Sequence, residues 1–267
     1  MPEGDTLFRI ASTLGKAISG KVITRFASPL PALAEAHLDG RTITSVEARG
    51  KNLLIHFDDG RALHTHLRMT GSWHLYRPGE RWQKPERMAR VVLETADFVA
   101  VCFSAPVVEL LALGGAERHE GLRRLGPDLL AEDFDAVEAR RRLRARADLT
   151  VGEAIMTQSA LAGIGNVYKS ETLFLCRIDP FASVADLDDA ALDRIIATAR
   201  DLMHRNLDGA ARRTRRALAG PRLWVYDRGG RPCLACGTLI KVRRQGLVGR
   251  TTYYCPSCQR AGSTSRT

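Results

Sequence analysis

Four cysteines carry the strongest chemical signal in the chain. Cys233-x2-Cys236 is followed eighteen residues later by Cys255-x2-Cys258. Two such pairs put four thiolates on two tight turns, the donor set of a tetrahedral zinc site, so one structural Zn2+ is expected there. A redox C-x-x-C is the competing reading, which the duplication of the pair disfavours. Cys102 and Cys176 stand singly in apolar runs and read as packing residues. A second chemical candidate is the start, Pro2-Glu3 behind Met1. Removal of the initiator leaves a secondary amine, and an α-amino group titrates near about 8, so part of it is neutral and nucleophilic at cellular pH. Glu3 beside it could deliver a proton to an opening ring. The bland alternative is that a small second residue merely permits trimming, and on two residues alone that alternative is favoured.

The elements that must position these groups can be sketched from pattern. Residues 237–242 and 251–254 are predicted to be the two strands of a hairpin joining the cysteine pairs, flanked by Arg243, Arg244 and Arg250. That is either a β-ribbon with a basic edge for nucleic acid or a staple that stabilises a small domain. Nearer the start, an amphipathic helix is expected from Gly4 to about Leu14. Two apolar runs, Asn52–Phe57 and Ala62–Leu67, flank Asp58-Asp59-Gly60 and read as a hairpin, with a second over Val91–Glu94 and Phe98–Phe103. After Gly126-Pro127 the period becomes helical over 134–146, 151–156, 167–176 and 187–206, with Asp148, Ser183 and Asp186 as candidate caps. Leu161-Ala162-Gly163-Ile164-Gly165-Asn166 interrupts two of these helices, and Gly262 to Thr267 reads as a frayed tail. The expected organisation is α+β: a β-rich domain over 1–130, a helical domain over 131–220 and a four-cysteine zinc module over 221–261.

Composition bounds the function. The 267 residues carry 40 Lys+Arg against 30 Asp+Glu, a net charge of +10, with a pI of about 9.7. Residues 221–267 alone hold nine basic side chains and one acidic, so the excess surrounds the cysteines. Clustered Arg at such a pI is the electrostatic footprint of a nucleic-acid binder, against a solvated tail as the bland reading. No apolar run approaches the ~18 residues of a membrane span, and Glu3 and Asp5 stand where a signal peptide would be basic. A cytoplasmic protein without membrane association is expected.

Six separated blocks then decide the reading of Pro2. They are Pro2-Glu3-Gly4, Arg49-Gly50-Lys51-Asn52-Leu53-Leu54, Thr65-His66-Leu67-Arg68-Met69-Thr70-Gly71, Arg124-Leu125-Gly126-Pro127-Asp128, Gly163-Ile164-Gly165-Asn166-Val167-Tyr168 and Gly249-Arg250-Thr251-Thr252-Tyr253-Tyr254-Cys255. In this order, and with the four cysteines, the sequence resembles the formamidopyrimidine-DNA glycosylase/endonuclease VIII family of base-excision repair enzymes over residues 2–260. The resemblance implies an N-terminal β-sandwich, a helix–two-turn–helix domain and a zinc-finger β-hairpin, with damaged DNA held between the domains of a monomer. It implies a bifunctional glycosylase and AP lyase in which Pro2 attacks C1′ and Glu3 donates a proton. Lys51 matches the family's lysine that contacts phosphate and assists β-elimination. Arg250 matches the arginine that grips the flipped nucleotide and assists δ-elimination. Asn166 matches the phosphate-binding asparagine, and Arg68 and Arg124 fall at DNA-contacting positions. Met69 is either a core residue or, in the family's void-filling loop, an apolar plug for the gap left by a flipped base.

Departures from the family pattern bear on substrate. Ser104-Ala105-Pro106-Val107-Val108-Glu109-Leu110 stands where the formamidopyrimidine branch has an Arg-Phe-Gly loop element, and the connection from Ala210 to Arg222 is short and Arg-rich. Both features favour the endonuclease VIII branch and oxidised pyrimidines, with an 8-oxoguanine-type glycosylase as the alternative and a non-catalytic zinc-ribbon DNA binder as a more distant one. Asp5-Thr6 replaces the family's usual Pro-Glu, so no role transfers to a glutamate there. Arg212, Arg213, Arg215 and Arg216 either follow a DNA strand or form a solvated helix end.

Overall fold

The computed structural model describes residues 2–208, 211–217 and 219–260. Met1, Ala210 and the expected tail from Gly262 to Thr267 lie outside the described residues. The chain divides into two compact units, Met1–Arg124 and Leu125–Thr267.

Unit 1 opens with helix α1, Gly4–Ile18. It runs a turn past the expected end because Leu7, Ala11 and Leu14 continue into Ala17 and Ile18 as one buried stripe. Ten strands follow among the described residues, eight of them here: β1 (Arg25–Ala27), β2 (Ile43–Arg49), β3 (Asn52–Phe57), β4 (Ala62–His66), β5 (Ser72–Tyr76), β6 (Ala89–Glu94), β7 (Val99–Phe103) and β8 (Val107–Leu111). They form two antiparallel four-stranded sheets, ordered β1-β6-β7-β5 and β2-β3-β4-β8. Both expected hairpins are present, as β3–β4 and β6–β7. Alternate residues Leu53, Ile55 and Phe57 of one sheet meet Val91, Leu93, Ala100 and Cys102 of the other under the α1 stripe, which makes a β-sandwich with one shared core. Burial of Cys102 raises its thiol well above the ordinary range, as suits a packing residue. Two short helices, α2 (Gly115–Arg118) and α3 (Glu120–Arg123), close the unit.

The described residues of unit 2 form four α-helices, α4 (Ala136–Arg144), α5 (Val151–Ala154), α6 (Asn166–Leu175) and α7 (Asp189–His204), around a core that includes Leu143, Ile155, Tyr168, Leu173, Ile195 and Leu202. The caps differ from those expected. Asp135 caps α4 by accepting from Glu138 N at 2.9 Å, and Asp188 caps α7 by accepting from Ala191 N at 2.7 Å. Thr150 and Glu153 pair at the start of α5, while Ser183 caps a short 3-10 turn, Val184–Asp186. In each case the capping residue directly precedes the first helical residue, whereas Asp148 and Asp186 sit two or more residues upstream of α5 and α7.

The cysteine hairpin consists of β9 (Lys241–Gln245) and β10 (Arg250–Tyr254). The first strand therefore begins four residues later than expected. Residues 237–240 belong to the first cysteine knuckle instead: Gly237 N and Cys233 N donate to Cys233 O and Thr238 O at 2.9 and 2.8 Å, and Gly237 adopts φ +75°. A turn so closed cannot extend into a ladder, and glycine accepts that φ without a Cβ clash.

Candidate functional site

In unit 1, Pro2 leads into Glu3, which is fully buried at the N-cap of α1, its carbonyl accepting from Thr6 N and Leu7 N at 2.9 and 3.1 Å. Asp5 lies in the first turn, where a carboxylate complements the helix dipole, and stands 3.8 Å from Arg9. Lys51 occupies a two-residue loop, Gly50-Lys51, closed by the register pair Arg49 and Asn52. Gly50 takes φ +59° there, a conformation this loop demands and glycine supplies.

His66 ends β4 close to Lys51 and Arg68, and its Nδ1 accepts from Arg68 N at 3.2 Å. Burial first, and then the charges of Lys51, His64 and Arg68, pull His66 down to about 4, so it is neutral at physiological pH. Arg68 has φ +46° and is exposed, and Met69 is 69% exposed. Of the two sequence readings of Met69, burial in the core is thereby removed. The loop that presents it is tightly held: Thr70 Oγ1 donates to Ser104 O at 3.0 Å and Gly71 N to Leu67 O at 2.8 Å. A Cβ on Gly71 would come within 2.8 Å of the Leu67 backbone, so the loop requires glycine. Arg124 is exposed and pairs with Glu120 at 2.5 Å. The segment compared above with a loop element is half strand: Val107–Leu111 pair with β4, and only Ser104–Pro106 form the connection.

In unit 2, Asn166 begins α6 and is buried. Its Nδ2 donates to Thr251 O at 2.6 Å, while its Oδ1 lacks a partner among the described residues. This bond joins Asn166 to the residue next to Arg250, which is itself exposed at the start of β10. Sequence reasoning missed the groups that fix the hairpin to the helices. Buried Lys169 donates to Thr252 Oγ1 at 2.7 Å, Thr252 Oγ1 donates to Gln245 Oε1 at 2.8 Å, and Gln245 Nε2 reaches Thr150 Oγ1 and Pro180 O at 2.8 and 2.7 Å. Gly152 permits this approach, since a Cβ there would meet Gln245 at 2.6 Å. Glu171, also buried, accepts from the backbone N–H of Trp224, Val225 and Tyr226 at 2.7 to 2.8 Å and from the Thr214 hydroxyl. Burial pushes its carboxyl up against the pull of those bonds. The available signal was two charged residues inside the apolar run 167–176, because a buried charge demands partners. The arginines of the connection are partly structural: Arg212 stacks over Tyr168 and Arg215 over Trp224, whereas Arg213 and Arg216 are exposed.

The four cysteines converge. None forms a disulfide, and their sulfurs all lie within 4.8 Å of one another, with Cys233–Cys258 at 3.9 Å and Cys236–Cys255 at 3.5 Å. Four thiolates about 2.3 Å from a tetrahedral zinc ion stand about 3.8 Å apart, so the spacing fits. Ala235 N and Cys258 N donate to Cys233 Sγ and Cys255 Sγ at 3.5 Å, and hydrogen bonds from Thr238 draw Cys236 down to about 6, whereas burial raises the thiols of Cys255 and Cys258. The cluster can hold a metal ion.

Comparison with known proteins agrees with this arrangement. The formamidopyrimidine-DNA glycosylase N-terminal domain matches residues 1–106, and the formamidopyrimidine-DNA glycosylase H2TH domain matches residues 125–216. A sandwich that begins on Pro-Glu, and helices that carry a four-cysteine hairpin, are thus parts of one known plan: the chain belongs to the formamidopyrimidine-DNA glycosylase family. Within it, the chain is 44% identical to the probable endonuclease 8 2 of Streptomyces coelicolor, over all of this chain and 96% of that one. It is 38% identical to the DNA-(apurinic or apyrimidinic site) lyase Nei2 of Mycolicibacterium smegmatis, over 98% of this chain and 100% of that protein. Among solved structures it is similar to the Lactococcus lactis glycosylase in complex with N7-benzyl-Fapy-dG DNA, with a TM-score of 0.83, 25% identity and coverage of 97% of this chain and 100% of that one.

Proposed function

We propose that the protein is a bifunctional DNA glycosylase and AP lyase of base-excision repair, of endonuclease VIII type, acting on oxidised pyrimidines. The observation that carries this reading is the placement of Pro2-Glu3 at the start of α1 within a chain 38% identical to the lyase Nei2 over 98% of its length. The Pro2 nitrogen attacks C1′ of the damaged nucleotide, and Glu3 protonates the opening deoxyribose. The base departs with the electron pair of its glycosidic bond, and loss of the amine proton leaves an iminium between Pro2 and C1′. The cationic iminium acidifies C2′–H, whose removal expels the 3′ phosphate. A second elimination expels the 5′ phosphate.

Lys51 binds phosphate and assists the first elimination, and Arg250 grips the nucleotide and assists the second. Asn166, at the start of α6, holds phosphate. Arg68 and Arg124 contact DNA, and exposed Met69 fills the gap left by the extruded base, which offsets part of an unstacking cost of a few kcal/mol. One Zn2+ on Cys233, Cys236, Cys255 and Cys258 supplies no reaction chemistry and fixes the hairpin that bears Arg250. The protein acts as a monomer on DNA in the cytoplasm.

Borohydride reduction tests the reading. A processed wild-type protein is expected to form a covalent adduct with abasic or thymine-glycol duplex, and Pro2→Gly is expected to lose most of it. The absence of any adduct from wild type would place the protein with non-catalytic zinc-ribbon binders. Adducts on 8-oxoguanine and not on oxidised pyrimidines would move it to the other branch of the family.

A further inference from the structure

A chain of hydrogen bonds crosses the outer face of sheet β2-β3-β4-β8, and its polarity can be read atom by atom. Asn52 Nδ2 donates to Arg49 O at 3.0 Å, so Oδ1 is the Asn52 atom turned to His64 Nε2, 3.0 Å away. An amide oxygen only accepts, which fixes a proton on His64 Nε2. On the other side of the ring, His64 Nδ1 lies 2.9 Å from Glu109 Oε2. The same oxygen is 3.2 Å from His119 Nε2. His119 Nδ1 accepts from Leu122 N at 3.3 Å, so Nε2 carries the His119 proton and donates to Glu109. His64 Nδ1 and Glu109 Oε2 are within hydrogen-bond distance of each other. Each of the donors named here meets an acceptor. The His64 side chain is 4% exposed, and its partners come from β3, β8 and the cap of α3.

The array ends on the loop that carries Lys51. Turning the Asn52 amide over would present Oδ1 to the Arg49 carbonyl and Nδ2 to a protonated ring nitrogen, two repulsive contacts in place of two hydrogen bonds. His64 therefore orients Asn52, and Asn52 closes the loop that carries Lys51. We propose that His64, held by Glu109 and His119, is a positioning residue for Lys51 in strand cleavage. This rests on the lyase reading above. His64 touches no reacting atom and acts through Asn52. The competing occupant of the cluster is a divalent cation, since the three side chains offer ligand atoms within 4.8 Å of one another. The Leu122 N–H aimed at His119 Nδ1 opposes it, because a metal-bound Nε2 needs its ring proton on Nδ1.

Single-turnover cleavage of a preformed abasic duplex by the full-length, processed protein separates the outcomes. His64→Ala and Glu109→Gln are each expected to slow cleavage about tenfold, the order of effect that a small displacement of a reacting group produces. Duplex Kd is expected to stay within about twofold, and the double variant to be no slower than the slower single. Combined with Lys51→Ala, His64→Ala is expected to add nothing further. If His64→Ala does not fold, Asn52→Ala, which deletes the same link, is expected to show the same loss. Full cleavage rates in the variants beside an active wild type would overturn the inference, as would losses that multiply with that of Lys51→Ala. A zinc content of two per chain that falls to one in His64→Ala would assign the cluster to a metal instead. A wild type that neither cleaves nor traps would sink the lyase reading itself.

Discussion

Individual side chains divide the proposed work in ways that separate assays can read. Glu3→Gln is expected to lower base release from an oxidised duplex by about 10²-fold or more, the usual share of a general acid, with little change in DNA affinity. Arg250→Ala is expected to weaken binding and strand cleavage together, because the role proposed for this exposed hairpin arginine is to grip phosphate before and during the reaction. His66 gives a pH signature. Its folded value of about 4 lies below the ordinary 6.5, so between those values the unfolded chain binds more protons than the folded one. Stability is therefore expected to rise as pH climbs from about 4 to 6.5, and His66→Gln to flatten that part of the curve in chemical denaturation. Lys51→Ala is expected to move the His66 titration toward its ordinary value in an NMR experiment, since Lys51 is one of the charges that lower it.

At the scale of elements, legibility in the sequence depended on whether the determining interaction was local. Hairpins β3–β4 and β6–β7 could be read because alternation and the Asp58-Asp59-Gly60 turn lie within one stretch. Strands β1, β2, β5 and β8 were not read: β1 has three residues and pairs with the distant β6, β2 is polar on one face, β5 is short and mixed, and β8 is an edge that gains its identity only by pairing with β4. The four cysteines were legible from spacing alone, and they do converge. The groups that brace the site were hidden because their partners lie far along the chain, as Lys169 and Thr252 or Glu171 and Trp224 do. Such bracing has a measurable consequence. Glu171→Ala removes a buried acceptor from three backbone N–H groups and a hydroxyl, and is expected to cost about 3 kcal/mol or more in chemical denaturation. A loss below about 1 kcal/mol would show that water replaces the carboxylate.

For the whole molecule, charge and metal set the terms of binding. The net +10, concentrated toward the cysteine module, suits a protein that displaces counterions from DNA. If about six phosphates are neutralised, log Kd is expected to shift by about five units for each tenfold change in salt. If the cluster holds zinc as proposed, chelation is expected to melt the hairpin and with it DNA affinity, because structural zinc binding of this kind is itself folding free energy. The sandwich of unit 1 has its own core and is expected to keep its unfolding transition after chelation. A hairpin that stays ordered without metal, judged by hydrogen exchange of Cys233 to Cys258, would show that Lys169, Gln245 and Glu171 suffice to hold it.

Peptide mapping of the borohydride-reduced adduct goes directly to the nucleophile. The expected result is a deoxyribose-derived mass on the amino-terminal peptide, fragmenting to the Pro2 nitrogen. A modified Lys51, or a modified peptide from any other part of the chain, would contradict it.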